Sequence, residues 1–326
     1  MEEINVVKHY LANNYNLDDK YSVELLAENG NSVFSITNGQ QHYIFRIYAL
    51  YKSIEVIKSE IEILRFLSSN GLNAEEPVHN CKGHYHDTIE LQSTVRNCAM
   101  YKALSGVIHD EMLTEEQSKN LGLLAGKLHN ILDLYTGKTS FMEFGYEELV
   151  QAPWRRIKPY IYHNKELNDF YEAIATGCDT KLRNNERLLS WGLCHGDLHA
   201  GNVIFNQDNE PGIFDFELCC YGWRLYDLAT FIWSILPRDD YRNENIELVD
   251  HCIKSFIDGY MMQRALSTEE LDLLFNIVLL RHIWRQAERI EFEKAVLEWR
   301  SEQHFVIQMN RMKKWIELYK INFKVI

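Results

Sequence analysis

The chain has 326 residues, 46% of them hydrophobic, enough to bury more than one core, while a formal net charge of -13 excludes the basic stripe that nucleic-acid binding requires. Seven cysteines, scattered and odd in number, suit a reducing compartment without a disulfide frame. No apolar run approaches the roughly 18 residues of a membrane helix, and Met1-Glu2-Glu3-Ile4 lacks the regions of a signal peptide, so a cytoplasmic protein with no membrane partner is expected.

Ile4, Val7 and Leu11 recur at helical spacing, which predicts a short opening helix. Two β-leaning runs follow, at 23–27 and 33–36, joined by Glu28-Asn29-Gly30-Asn31-Ser32. Strand, tight polar turn, strand fits a plain hairpin and equally a loop that covers a phosphate. A third run, 42–48, carries Arg46 inside Ile44-Phe45-Arg46-Ile47-Tyr48. Such a cation either snorkels to the surface or, pointing inward, needs an anionic partner.

The helix expected over 54–70, with Gly71 at its end, offers that partner. At about 100° per residue, Val56, Ile57, Ile63, Leu64 and Leu67 fall within about 60° of Glu60, whereas Glu62 points away. A carboxylate in the middle of an apolar arc is expensive unless paired, so Glu60 is the partner expected for Arg46. Beyond it, Thr114-x-x-Gln117 is a capping box. The helix it opens would bury Leu121, Leu124, Leu128 and Ile131 and close at a structural His129. Gly137-Lys138-Thr139 ends like a P-loop, but Leu132 stands where that motif has Gly. That reading is discarded. Residues 150–189 are polar and helical in character.

The chemistry is concentrated in His195-Gly196-Asp197-Leu198-His199-Ala200-Gly201-Asn202 and, farther on, Asp215-Phe216-Glu217. The four-residue gap between Asp197 and Asn202 is that of the H-R-D-x-x-x-x-N catalytic loop. In such loops the Asp accepts the proton of an attacking hydroxyl, and the Asn and a second Asp hold magnesium. Asp197 is therefore the candidate catalytic residue, and Asn202 and Asp215 are candidate metal ligands. Val203-Ile204-Phe205, a polar turn and Ile213-Phe214 predict a hairpin that returns Asp215 to Asn202. Oxygen ligands of this kind suit Mg²⁺. His195 and His199 are spaced like zinc ligands on a helix, but Gly196 disfavours a helix there. Glu217 either assists the metal or faces solvent.

With these motifs and Tyr221-Gly222-Trp223-Arg224-Leu225-Tyr226-Asp227-Leu228-Ala229, the sequence resembles the aminoglycoside phosphotransferase/choline kinase family. That group also holds a homoserine kinase and atypical bacterial protein kinases. The resemblance implies an α+β, two-lobed protein-kinase-like fold. A small N-terminal β-sheet lobe would span 1–100, a hinge 101–106, and a larger, mainly helical C-terminal lobe 107–326, which also binds the acceptor. It further implies that Gly30, Asn31 and Ser32 cover the phosphates and that Arg46, held by Glu60, binds the phosphates of ATP. The backbone from Tyr101 to Ala103 would meet the adenine. Asp227 would either tie down the catalytic loop or simply cap its helix.

The implied activity is transfer of the γ-phosphoryl group of ATP, with Mg²⁺, to a hydroxyl of a small molecule. Aminoglycosides, choline, homoserine and related amino alcohols are the implied acceptors, and the acidic balance favours a cationic one. An atypical Ser/Thr protein kinase and a non-catalytic nucleotide-binding module are the alternatives. Only eleven residues separate Asp215 from Asp227, without Ser, Thr or an A-P-E signature, which favours a small acceptor. The intact set of Asp197, Asn202 and Asp215 argues against a non-catalytic module. Periodic runs near 246–262, 269–288 and 292–319 predict an all-helical end.

Overall fold

Val7 and Leu11 are buried where the opening helix α1 (Glu2–Tyr15) lies against a sheet. The computed structural model describes residues 2–18, 20–109, 112–238, 245–292 and 297–320. Strands β1 (Ser22–Asn29), β2 (Asn31–Thr37) and β3 (His42–Ile47) form an antiparallel meander. After helix α2 (Ile54–Ser69) come β4 (Glu76–Val78), β5 (Asp87–Leu91) and β6 (Thr94–Lys102). The sheet order is β1-β2-β3-β6-β4, with β5 also paired to β6.

Alternation along β3 decides where its side chains go. Phe45 and Ile47 join the α1 core, so Ile44 and Arg46 face a cavity on the opposite side. Ser53 caps α2 by accepting the Val56 N–H, and Gly71, at φ +72°, follows its end. The apolar face of α2 is the one expected, with Glu60 fully buried in it.

The rest is mostly helical. Its elements are α3 (Glu115–Leu132), β7 (Glu143–Phe144), α4 (Ala152–Ile161), α5 (Lys165–Asn185), β8 (Trp191–Cys194), β9 (Val203–Phe205), β10 (Pro211–Ile213) and β11 (Cys220–Trp223). Then follow α6 (Leu225–Ile235), α7 (Ile246–Met261), α8 (Thr268–Phe292) and α9 (Glu302–Leu318). Both halves of the capping box at Thr114 and Gln117 are made. Ile57, Leu64 and Leu67 of α2 share one core with Leu121 and Leu128 of α3 and with α6 to α9. The last expected helix starts only at Glu302, where the Ser301 side chain accepts the His304 N–H; residues 293–296 lie outside the described segments.

β9 and β10 form the expected antiparallel hairpin. Its second strand is also gripped by the segment before β4. Ile213 N–H donates to the Asn73 carbonyl at 3.0 Å, and Glu75 N–H donates to the Ile213 carbonyl at 3.1 Å. That edge pairing is what brings Glu75 beside Asp215. All seven cysteines are unpaired. Among the described residues, no helix is long and apolar enough to cross a membrane.

Candidate active site

The loop that carries Asp197 is held by a single buried carboxylate. Asp227, in the first turn of α6, accepts the N–H of His195 at 2.7 Å and that of Gly196 at 2.8 Å. Of its two readings, the loop anchor is the one realised. Gly196 has φ +85°, and a Cβ there would lie 1.9 Å from the Leu218 carbonyl oxygen, so a side chain has neither the room nor the backbone conformation. His195 Nδ1 accepts the Asp197 N–H, and its Nε2 therefore donates to the Phe214 carbonyl at 3.0 Å. His199 instead accepts the Gly201 N–H at 3.0 Å, so the two histidines serve the loop separately.

The hairpin then brings the oxygen donors together. Phe214 N–H donates to the Asn202 carbonyl at 3.2 Å. Asn202 Nδ2 donates to the Asp197 carbonyl at 3.0 Å, which leaves Oδ1 of the same amide for a cation. Asp215 sits in the left-handed region at φ +67°, and Glu75 Oε1 accepts its N–H at 3.0 Å. An Asp in that conformation is strained, and the Glu75 contact holds it there. The carboxylate of Asp215 and the amide oxygen of Asn202 are hard donors of the kind Mg²⁺ prefers. The residues present fit that ion.

Arg46 and Glu60 meet as expected, with Nη1 2.6 Å from Oε1. Two partners were not legible in the sequence. Glu75 lies 3.3 Å from Arg46 Nη2, and Lys52 Nζ lies 3.5 Å from Glu60 and 3.0 Å from Glu217. Burial works to lower the Arg46 guanidinium, but Glu75 and Glu60 overcome it and raise it. Burial raises Glu75 despite the opposing Arg46. Glu217 is held below the carboxylate range because Lys52, with Arg46 and Asn31, outweighs burial. Its side chain is thus committed to Lys52 and to Asn31, whose Nδ2 donates to it at 2.8 Å.

Of these groups, Arg46, Glu75, Glu217 and Asn31 border a cavity of ≈ 460 Å³ between the sheet and the β9–β10 hairpin. Val33, Ile44, Leu104, Ile204 and Phe214 supply apolar walls, and Arg46, Glu75 and Asp215 supply charge. Not every residue expected at the nucleotide lies here. Asn31 and Ala103 line the cavity, but Gly30, Ser32, Tyr101 and Glu60 do not. Arg96 holds the back of the turn, with Nη2 3.0 Å from the Gly30 carbonyl and Nη1 3.4 Å from the buried Ser32 hydroxyl. Tyr101 is fully buried, its ring 5.0 Å below the Arg46 guanidinium and its hydroxyl on that of Tyr48. Ala103 already donates its N–H to the His42 carbonyl at 3.0 Å.

A third residue not expected from the sequence, Arg281, neighbours Asp197. Arg281 of α8 places Nη2 2.5 Å from Asp197 Oδ1. Burial alone raises the Asp197 carboxyl, but Arg281 and the nearby His199 and His195 override it and hold it below the ordinary range. One signal did exist. Arg281 sits in Leu279-Leu280-Arg281-His282-Ile283, an embedded cation of the kind that pointed to Arg46. Glu75 and Lys52 stand in irregular segments where no periodicity marks them.

His129 is structural, as expected. It is fully buried, and because Asp227 only accepts, Nε2–H donates to it at 3.0 Å while Nδ1 accepts from the Tyr260 hydroxyl at 2.8 Å. Burial depresses the imidazole from 6.5 to about 4, against the pull of Asp227. A histidine with a depressed folded pKa favours the folded state above its unfolded pKa and loses that contribution as pH falls. Stability should therefore drop between about pH 6.5 and 4, by on the order of 3 kcal/mol from His129 alone. The lowered pKa of Asp227 acts below its ordinary value of 3.8 and leaves that window untouched. Chemical denaturation across this range, with His129→Gln as control, checks it; equal slopes in the two proteins contradict the assignment.

An Asp at a loop, two further oxygen donors at a hairpin end and a buried cation held by a helix carboxylate are an arrangement that can serve phosphoryl transfer by positioning and charge neutralisation. The fold is that of the kinase-like phosphotransferases. This chain belongs to the phosphotransferase enzyme family, whose model matches residues 22–253. It is 25% identical over 272 residues to a hydroxylysine kinase of Xenopus laevis, covering 75% of this chain and 69% of that one. It is 24% identical over 271 residues to a homoserine kinase of Beijerinckia indica, covering 81% and 78%. Its structure is similar to that of an amicoumacin kinase in complex with AMP-PNP and Ca²⁺, with TM-score 0.73, 22% identity, and 96% and 92% of the two chains covered.

Proposed function

We propose that the protein transfers the γ-phosphoryl group of ATP to the hydroxyl of a small amine-bearing alcohol. The observation that carries this reading is that Asn202 bonds the Asp197 carbonyl and the backbone beside Asp215, while Asp215 borders the same cavity as Arg46 and Glu75. Asp197 orients the acceptor hydroxyl through Oδ2, because Oδ1 is engaged by Arg281. A carboxylate held so firmly ionised is a weak base, which a loose phosphoryl-transfer transition state tolerates. The oxygen–phosphorus bond to the acceptor forms as the bond to the β-phosphate oxygen breaks, and the hydroxyl proton leaves toward Asp197. Asn202 and Asp215 hold Mg²⁺, which neutralises phosphate charge when bound. Arg46 faces the phosphates, and Glu60 and Glu75 keep its fork in place. The adenine lies against Val33, Ile44 and Ile204 beside the segment 101–106, which acts as the hinge between residues 1–100 and 107–326.

The acceptor site is assigned to a second cavity of ≈ 330 Å³, which shares Glu217 with the first. Phe141, Phe144 and Trp284 line it, together with Glu148, with Glu291, which pairs with Arg156 of the same wall, and with Glu288, which pairs with Arg285. Aromatic faces and carboxylates together favour an ammonium group. Its volume suits an amino alcohol or a hydroxylated amino acid, as in the kinases named for homoserine and hydroxylysine. Unpaired cysteines and an acidic surface suit the cytoplasm.

The test is incubation with Mg²⁺ and γ-labelled ATP together with homoserine, 5-hydroxylysine, 1-amino-2-propanol or choline, without prior phosphorylation of the enzyme. Label should enter the low-mass fraction with at least one of these amines and not with its uncharged N-acyl or hydrocarbon analogue. Label found only in protein, when a cell extract is supplied, transfers the assignment to a protein kinase.

A further inference from the structure

The α8 helix lies beyond residues 22–253, the span matched by the family model, yet one of its side chains reaches the catalytic aspartate. Arg281 is almost wholly buried, its side chain only 3% exposed. Nη1 donates to the Tyr226 hydroxyl at 2.9 Å while Nη2 meets Asp197. The guanidinium lies 4.6 Å from the ring centre of Trp284 and 5.2 Å from that of Trp233. Among the described residues, Asp197 is the one carboxylate within ion-pair distance of it.

Three features point past a purely structural role. Arg281 Nε is buried with no hydrogen-bond partner among the described residues, so the side chain is an inefficient stabiliser. Its fork spans Tyr226 and Asp197 at once, which fixes the carboxylate in rotation as well as in place. Finally, it occupies Oδ1 alone. Oδ2 lies 3.5 Å from both Asn202 Nδ2 and His199 Nε2, too far for strong hydrogen bonds. One carboxylate oxygen is anchored and the other is left for the acceptor.

We propose that Arg281 is a positioning residue that locks Asp197 with Oδ2 turned to the acceptor hydroxyl. Tyr226 and the indole rings of Trp233 and Trp284 hold the guanidinium in register. The inference rests on the assignment of Asp197 as the catalytic residue. It assigns to the C-terminal helices a direct hold on the catalytic loop, added to the Asp227 anchor beneath it.

A double-mutant cycle tests it, with homoserine and, in parallel, water as the acceptor of the γ-phosphoryl group from MgATP. Arg281→Met should lower kcat by about 10²-fold, as loss of an aligned catalytic group does, with the KM for ATP changed less than about threefold. Arg281→Lys, which keeps the charge but cannot span both partners, should recover part of that loss. Tyr226→Phe, which removes only one hydroxyl, should lower kcat by about threefold to tenfold. Adding Arg281→Met to Asp197→Asn should cost little more, because the two act as a unit. Multiplying losses in the double variant, or a raised KM for ATP with kcat intact, overturns the role of Arg281 while leaving Asp197 in place. Full activity of Asp197→Asn overturns both assignments.

Discussion

Replacing Asp197 by Asn should lower turnover by about 10² or more while ATP affinity stays nearly constant. The carboxylate lies outside the residues that border the nucleotide cavity, so the binding surface is preserved. On the proposed mechanism, what is lost is an ionised oxygen facing the acceptor. The same substitution carries a second consequence. Arg281, with 3% of its side chain exposed, loses the charge that balances it. Partial compensation by the Asn oxygen limits the destabilisation to about 1–3 kcal/mol. Adding Arg281→Met should restore the melting temperature but not the activity. Steady-state kinetics, ADP binding by calorimetry and thermal melts separate the two effects. Turnover equal to that of the parent enzyme removes Asp197 from the mechanism.

Asp227→Asn should be costly to fold and function alike. Both oxygens of this fully buried carboxylate accept backbone N–H groups, and one also faces His129. An Asn keeps a single acceptor oxygen, so whichever way it turns, its NH₂ faces at least one loop N–H and leaves that donor unsatisfied. The expected destabilisation is about 3 kcal/mol or more, seen as a melting temperature lower by roughly 6 °C or more. Because the loop it anchors carries Asp197 and Asn202, kcat should fall about tenfold or more even at temperatures where the variant is folded. Unchanged kcat in a destabilised protein assigns Asp227 to folding alone.

Much of the site was legible because local rules sufficed. The hairpin after Asn202 is a short-range structure, so spacing alone predicted that Asp215 returns to it. Glu60 was found because a carboxylate in an apolar helical arc violates the burial pattern unless paired, and the pairing partner stood in a strand with apolar residues on both sides of it. The glycine at the catalytic loop and the capping box at Thr114 are likewise local. At the 30–32 turn and the 101–103 segment, which the resemblance assigned through backbone groups, the side-chain directions were not legible. Tyr101 follows the alternation of β6 into the core under Arg46, and Ser32 turns inward toward Arg96; neither direction could be chosen before the sheet order was known.

From residues 195 to 227 the sequence by itself determined the class of chemistry, since the order and spacing of Asp197, Asn202, Asp215 and Asp227 reflect contacts within one loop, one hairpin and one helix start. Only the tertiary structure decided which other charges govern those groups. Glu75 reaches Asp215 across 140 residues, Lys52 reaches Glu217 across 165, and Arg281 reaches Asp197 across 84. A buried ion pair is set by distance and dielectric in three dimensions. Periodicity marks a charge as buried, as it does for Glu60 and for Arg281, but it does not name the partner when that partner lies on another element. The packing of α8 on α6, and of the segment at Asn73–Glu75 on β10, supplied those partners.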